Sequence, residues 1–395
     1  MSLPSPHGLL RRESLICAQC GACRDVCPSF RSLGWESSSP RGRMSVLKTL
    51  TTHRESVGSP TAEQVETLCQ CTLCGACGQA CAAAIDTREV WLEARAALAR
   101  KAKAPTGFVH IAEAVRQTKN VAGVDNETRL DWAEDSDEEM ILACGNVEPG
   151  EIKAEVDVLY LVGCVASFYP RAAEVALALT EVMQAAGVRF AVLGGQEWCC
   201  GFPLEASGYP DDARSFREHN TEKILASGAT RLLTACPTCF HTYARQCGEQ
   251  LHEAGVEVVH SSQFLLELIA AGKVALKENP VVATYHDPCD LGRNSGVYDE
   301  PREILRHIPS LSFIELPSSR EAAMCCGGGG DLQSVDPRLV DSIADARVRE
   351  VVAVGADVVV SACQQCEQVM EAAIRRRGFP ARVIDICELV RDSMI

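Results

Sequence analysis

The sequence has no run that approaches about eighteen consecutive apolar residues, so no helix crossing a membrane on its own is expected. Its N-terminus, MSLPSPHGLLRRES, lacks the long apolar core and small-residue cleavage site of an export signal. That absence predicts a reducing cytoplasm, with any membrane contact made through a partner. Positive charge is also short: 38 Lys and Arg face 53 Asp and Glu, for a net charge of -15. Such a balance argues against nucleic acid, whose phosphates need clustered Lys and Arg, and makes a basic protein surface the expected partner. No G-x-G-x-x-G stretch stands in a strand-to-helix context, so neither flavin nor NAD is expected on this chain.

Cysteine is what the chain has in abundance, 22 among 395 residues. With 47% apolar composition and this length, two or three cores can be buried without covalent staples. Disulfides do not persist in a reducing compartment, so thiolates that hold metal are the expected use. One set is Cys17-x2-Cys20-x2-Cys23-x3-Cys27-Pro28, and another follows as Cys71-x2-Cys74-x2-Cys77-x3-Cys81. Such spacing lets a short loop wrap three sulfurs round one cube while the fourth points away to a neighbouring cluster, as in the bacterial ferredoxin run. The crossover rule then assigns Cys17, Cys20, Cys23 and Cys81 to one cubane 4Fe-4S cluster and Cys71, Cys74, Cys77 and Cys27 to another. Zinc sites use two separated C-x2-C pairs instead, which disfavours zinc. Ala82 stands where such runs usually carry proline, a residue that shapes the loop and supplies no ligand. Cys69 is read as a buried thiol outside the set. Arg41 and Arg43, in the loop GWESSSPRGRM, are read as structural or solvated ahead of a role beside an anionic cluster.

The rest of the chain repeats itself. Cys164, the adjacent pair Cys199 and Cys200, Cys236 and Cys239 form one unit; Cys289, the pair Cys325 and Cys326, Cys363 and Cys366 form the other. Matching positions are offset by 125 to 127 residues, and glycine follows each pair. A fixed period of this kind marks a duplicated domain with a duplicated metal-sulfur site. Short apolar runs ending at Cys164, Cys236, Cys289 and Cys363 alternate with helical stretches, which predicts parallel sheets with helices on their faces. Ligands of such sheets gather beyond the carboxyl ends of the strands, where these cysteines fall. Five thiols exceed the four that a cubane takes, and adjacent cysteines both ligate only if irons line a broad edge or one sulfur bridges two of them. The glycines, including the run Gly327 to Gly330, would bring backbone N–H groups to the cluster sulfurs. Spacing alone leaves the type of site open.

Helical stretches are expected at 87–103 and 108–117, followed by an acidic segment at 125–139 read as solvated surface or linker. The expected division is a mainly helical two-cluster ferredoxin-like module at 1–104, a helix and acidic linker at 105–149, and two α/β repeats at 150–275 and 276–395, α+β overall. Cys144, Cys247 and Cys387 have no companions and are read as core thiols. His286 is read as a satisfied structural histidine ahead of a neighbour of the second site.

The motifs WCCGFPLEASGY, ACPTCF, HDPCDLGR, MCCGGGGD and ACQQC carry a family likeness. The chain resembles the cysteine-rich CCG domain family, found in heterodisulfide reductase and in the iron-sulfur subunits of glycolate oxidase, lactate-utilisation and anaerobic glycerol-3-phosphate dehydrogenase complexes. Its layout, a two-cluster ferredoxin module before two CCG domains, is similar to the D-type heterodisulfide reductase subunit over essentially the whole length. The resemblance implies one or two noncubane 4Fe-4S clusters in the five-cysteine units, beside the two cubanes. Asp290 stands where the family commonly has histidine, and Gln364 where proline is usual; neither change removes a ligand. Most relatives of this layout conduct electrons beside a flavoprotein. The implied function is therefore an iron-sulfur electron-transfer subunit of a multi-subunit anaerobic oxidoreductase, with a flavoprotein or other redox subunit as partner. The alternative is a disulfide reductase in its own right, cleaving a heterodisulfide at a CCG cluster. A redox-silent scaffold is disfavoured by the ferredoxin runs.

Overall fold

The computed structural model describes residues 6–52, 59–133 and 156–395. Before residue 134 the described chain forms only helices and turns. Helix Pro40–Thr51 begins inside the stretch expected to be loop, because Ser39 caps it, accepting from Gly42 N at 3.0 Å, and Pro40 fills the first turn, where no N–H is missed. Thr61 and Gln64 close a capping box on Ala62–Cys69. Thr87–Arg100 buries Val90, Trp91, Ala94, Ala97 and Leu98 with Leu10, Leu47 and Leu68, which gives this module its own core. Helix Thr106–Thr118 forms as expected, but its Ala112 and Val115 enter the core of the first repeat. The acidic segment after it is no simple spacer: Asn126–Ala133 coils tightly, with Arg129, Trp132 and Ala133 buried. Residues 134–139, Cys144 and the boundary near 149 lie outside the described residues.

Each repeat is built on a four-stranded parallel sheet. In the first, β1 (Val158–Tyr160), β2 (Phe190–Ala191), β3 (Arg231–Thr234) and β4 (Glu257–His260) lie in the order β2-β1-β3-β4. In the second, β5 (Val282–Tyr285), β6 (Ser312–Phe313), β7 (Val358–Ser361) and β8 (Arg382–Asp385) lie in the order β6-β5-β7-β8. The central pairs match, with Val158 beside Arg231 in one sheet and Ala283 beside Val358 in the other. Strands this short persist because both faces are buried. Val158 and Tyr160 enter a core shared by the two repeats, while Leu159 enters the first repeat's own core. Val358 and Val360 meet them in the shared core, and Val359 faces away.

The shared core makes the repeats a pseudo-symmetric pair. Helix Pro170–Ala185 of the first packs on Ile386–Asp392 of the second, and Ser261–Ala270 of the first packs on Asp299–His307 of the second. Corresponding helices have thus exchanged partners, as across a two-fold interface. Arg171 pairs with Glu388 at 2.7 Å and Arg391 with Glu174 at 3.3 Å across the same boundary.

All three modules meet at Arg95. Its buried guanidinium donates to the carbonyls of Cys69 (3.0 Å) and Cys71 (2.6 Å), of Ala206 in the first repeat (2.8 Å) and of Gly330 in the second (2.8 Å). Gly329 and Gly330 press against the second ferredoxin run. A Cβ on Gly330 would stand 2.7 Å from the Cys71 carbonyl, and one on Gly329 2.6 Å from that of Thr72. Glycine alone permits that approach.

Removing the Arg95 guanidinium strands four buried carbonyls, a kind of change that costs about 3 kcal/mol or more. Arg95→Ala is therefore expected to lower the thermal midpoint of the anaerobically prepared chain by a few degrees or more. Arg214→Ala, at a solvent-facing pair with Asp211, should leave it unchanged. Scanning calorimetry under nitrogen reads both.

Candidate functional site

The strand orders place a switch point between β1 and β3, and another between β5 and β7, where connections leave in opposite directions and open a crevice. Cys164 begins the short helix Cys164–Phe168 after β1, and Cys236 caps Pro237–Thr242 after β3. Cys289 follows β5, and Cys363 caps Gln364–Arg377 after β7, its sulfur accepting from Cys366 N at 3.4 Å.

Both five-cysteine units assemble in the same order. In the first, hydrogen-bonded thiols run Cys164, Cys199, Cys200, Cys239, Cys236. In the second they run Cys289, Cys325, Cys326, Cys366, Cys363, with the sulfurs of Cys326 and Cys366 3.2 Å apart. Gly327 N and Gly328 N lie 3.4 Å from the sulfurs of Cys325 and Cys326, the use expected of glycines after the pair. Gly329 and Gly330 instead serve the contact with the ferredoxin run. Five converging thiols with backbone donors beside them fit an iron-sulfur cluster, whose irons take soft ligands.

Nine of the ten thiols line one cavity of about 510 Å3, shared by the two repeats. Cys325 is the exception, turning instead to Cys74 of the ferredoxin module, with Ala76 beside them. The cavity lining includes no Lys, Arg or His, and its charged members are Asp290 and Asp331. Asp290 is fixed by Thr238 (2.7 Å), Asn294 (2.8 Å) and Arg88 (3.2 Å). Burial acts to raise its carboxyl, and Arg88 with His241 outweighs that and holds it low. Asp331 accepts from Ser207 Oγ at 3.0 Å, and burial pushes its carboxyl up to about 7 against the pull of Arg95.

What stands behind the sulfurs differs between the units. Buried Arg129 reaches Cys164 Sγ at 3.6 Å and Glu197 at 2.8 Å, and Glu197 accepts from Val162 N and Gly163 N at 3.0 and 2.8 Å. Behind the second unit, Arg347 Nε donates to His286 Nδ1 at 3.0 Å, which leaves the ring proton on Nε2. That ring hydrogen-bonds Cys326, and the donor atoms of His286, Cys326 and Cys366 lie within 4.8 Å of one another. His286 is thus a neighbour of the second site, against the structural role read from sequence. Asp287, next in the chain, is gripped by buried Arg302 at 2.8 and 2.9 Å. Arg129, Glu197, Asp287, Arg302 and Arg347 were not legible as site residues. The available signal was position, since Glu197 and Asp287 each stand two residues before a cysteine of a set.

In the ferredoxin module Cys27 meets Cys71, Cys74 and Cys77 around a small void that Arg43 and Trp91 also line. Arg43 is neither solvated nor remote: it is buried, with Nη1 3.9 Å from Cys27 Sγ. Cys17, Cys20 and Cys23 share one loop, and Cys81 packs with Cys17 on the same apolar cluster. Cys20 is the exposed thiol among the described cysteines; Cys69, Cys247 and Cys387 are buried. Among the described residues no helix is long and apolar enough to cross a membrane.

Residues 13–85 match the 4Fe-4S dicluster domain, and residues 158–243 and 283–371 each match the CCG cysteine-rich domain. Over 96% of its length the chain is 33% identical to the D-type subunit of the dihydromethanophenazine:CoB-CoM heterodisulfide reductase of Methanosarcina barkeri, covering 93% of that protein. It is 29% identical to a probable membrane-anchored ferredoxin of Chromohalobacter salexigens, over 96% of this chain and 59% of that protein. It is also 29% identical to the EtfAB:quinone oxidoreductase of Syntrophomonas wolfei, over 83% of this chain and 47% of that protein. With a dicluster ferredoxin module and two CCG domains in the same order, the chain belongs to the iron-sulfur oxidoreductase family of the D-type heterodisulfide reductase subunits.

Proposed function

We propose that this chain is the iron-sulfur electron-transfer subunit of a multi-subunit anaerobic oxidoreductase that works beside a flavoprotein. The observation that carries the reading is the contact of Cys74 with Cys325, which joins a ferredoxin thiol to a five-cysteine unit. Cys17, Cys20, Cys23 and Cys81 would hold one cubane cluster and Cys27, Cys71, Cys74 and Cys77 the other. Each five-thiol unit would hold a noncubane 4Fe-4S cluster. When bound, such clusters take up and release single electrons at potentials set by charge, hydrogen bonds and burial. The chain's own residues set those conditions. Arg43 and Arg129 place guanidinium charge beside Cys27 and Cys164, which favours the electron-rich state there, whereas His286 offers Cys326 a single ring N–H. Relatives named as a heterodisulfide reductase subunit and an EtfAB:quinone oxidoreductase support a place in a redox complex. Thiol chemistry of this density calls for a reducing compartment, so the cytoplasm is the proposed location.

A second reading has its own support. The cavity that both five-thiol units line would admit a disulfide between them, as a disulfide reductase requires. There Asp331 holds a proton near neutral pH, and a thiolate released from a cleaved disulfide needs one.

Replacing Cys199 or Cys325 with serine is expected to remove one CCG-type EPR signal from the iron-loaded chain and to leave the ferredoxin signals. Cys20→Ser should do the reverse. Retention of every signal would sink the ligand assignment.

With its folded value at about 7, Asp331 keeps a proton that the unfolded chain has released above about pH 4. Stability therefore falls as pH rises from about 4 to 7. Asp331→Asn keeps an acceptor for Ser207 and suits the left-handed backbone there (φ 54°). It should flatten that decline and raise the thermal midpoint at pH 8 more than at pH 5. An unchanged slope would mean that the carboxyl ionises freely.

A further inference from the structure

We infer that the face around Cys20 docks a redox protein presenting acidic side chains around a flavin. This rests on the electron-transfer reading and adds where, and by what chemistry, the partner is met. Cys20 is exposed, whereas Cys27, Cys71, Cys74 and Cys77, and Cys325 beyond them, are buried. The first ferredoxin set is therefore where the thiol ligands come nearest to solvent.

Exposed apolar side chains flank that thiol in the sequence. Leu15 is 54% exposed, Ile16 47%, Val26 40% and Trp35 73%. Of the seven large hydrophobic residues that the described chain leaves in solvent, these four fall within one short stretch, and Val124, Tyr169 and Ile395 lie elsewhere in the sequence. Scattered apolar residues need no explanation, but a concentration with an aromatic is the composition of an interface centre. Trp35 is tied to the cysteine loop through its neighbour Glu36, which pairs with Arg24 at 3.1 Å and Arg41 at 2.8 Å. Arg41 in turn reaches the Gln19 carbonyl, next to Cys20, at 3.4 Å.

Charge on this stretch runs against the rest of the molecule. Residues 11–48 carry seven Lys and Arg, of which Arg43 is buried beside Cys27, and three Asp and Glu, in a chain whose total is -15. Arg11, Arg31 and Lys48 are exposed and make no ion pair among the described residues. Overall charge pointed to a basic partner. The field that acts on docking is the local one, because screening limits charges to about 8 Å, and here it attracts an acidic surface. Flavin suits the transfer because it exchanges single electrons, and none is expected on this chain.

The test mixes the iron-loaded full chain with reduced flavodoxin, a small acidic FMN protein, in an anaerobic stopped-flow instrument. The expected rate constant falls about tenfold as salt rises, falls at least about tenfold in the Arg11→Glu/Arg31→Glu variant, and falls severalfold in Trp35→Ala. Once reduced with dithionite, the charge-reversed variant should pass electrons to hexaamminecobalt(III) faster than the wild type, because the surface has become attractive to cations. EPR integration of each sample separates lost clusters, which would defeat the electron-transfer reading, from lost docking. Three results overturn the inference: no transfer from flavodoxin, transfer indifferent to salt and to both variants, or binding to phosphatidylglycerol vesicles with the flavodoxin rate unaffected by the variants.

Discussion

One buried guanidinium sets how the three modules meet. Arg95 leaves a helix of the ferredoxin module and satisfies carbonyls of the second ferredoxin run, the first repeat and the second repeat together. A charged donor sealed from water holds its acceptors tightly, and the acceptors have no substitute partner if it withdraws. Gly329 and Gly330 let the second repeat close onto Cys71 and Thr72, and Arg293, donating to the Cys74 carbonyl at 3.0 Å, pins the other side of that run. The consequence is chemical: Cys74 and Cys325, remote in sequence, share a hydrogen bond. Electron transfer weakens steeply with distance, so a contact between a thiol of the ferredoxin module and one of a five-cysteine unit is a feature that an electron-conducting chain can use.

Duplication supplies the second half of the design. Two copies of a parallel sheet, packed through a shared core, turn their switch points toward one cavity and bring both five-thiol units to its walls. The copies then diverge behind the sulfurs. An arginine and a glutamate back the first unit, and a histidine oriented by an arginine backs the second. The same five-cysteine arrangement in unlike surroundings places the two units in unlike fields.

Much of this was legible in the cysteine spacing. Crossed pairing is the expectation from the two ferredoxin runs, and Cys27 lies beside Cys71, Cys74 and Cys77. Repetition at 125 to 127 residues gave away the duplication, and the apolar runs before Cys164, Cys236, Cys289 and Cys363 located four of the eight strands. The flanking strands fared worse. β2 pairs only Phe190 and Ala191 before Gly194 turns the chain, β6 pairs only Ser312 and Phe313, and β4 and β8 are four-residue runs with polar ends that carry no periodicity. Arg95 and Arg129 were missed, and His286 was ranked as structural, for a different reason. Each acts through a partner dozens to hundreds of residues away, and local pattern holds no record of such contacts. The acidic segment misled because its composition is solvent-like while Arg129 and Trp132, within it, are buried.

The central claim is that the second ferredoxin set and the second five-cysteine unit form one continuous redox path through Cys74 and Cys325. EPR of the iron-loaded, fully reduced chain tests it most directly, through magnetic interaction between neighbouring paramagnets. The account predicts a broadened or split spectrum that simplifies when Cys325→Ser removes one member of the pair. Sharp, independent signals that simply add, unchanged in shape by that substitution, would contradict it.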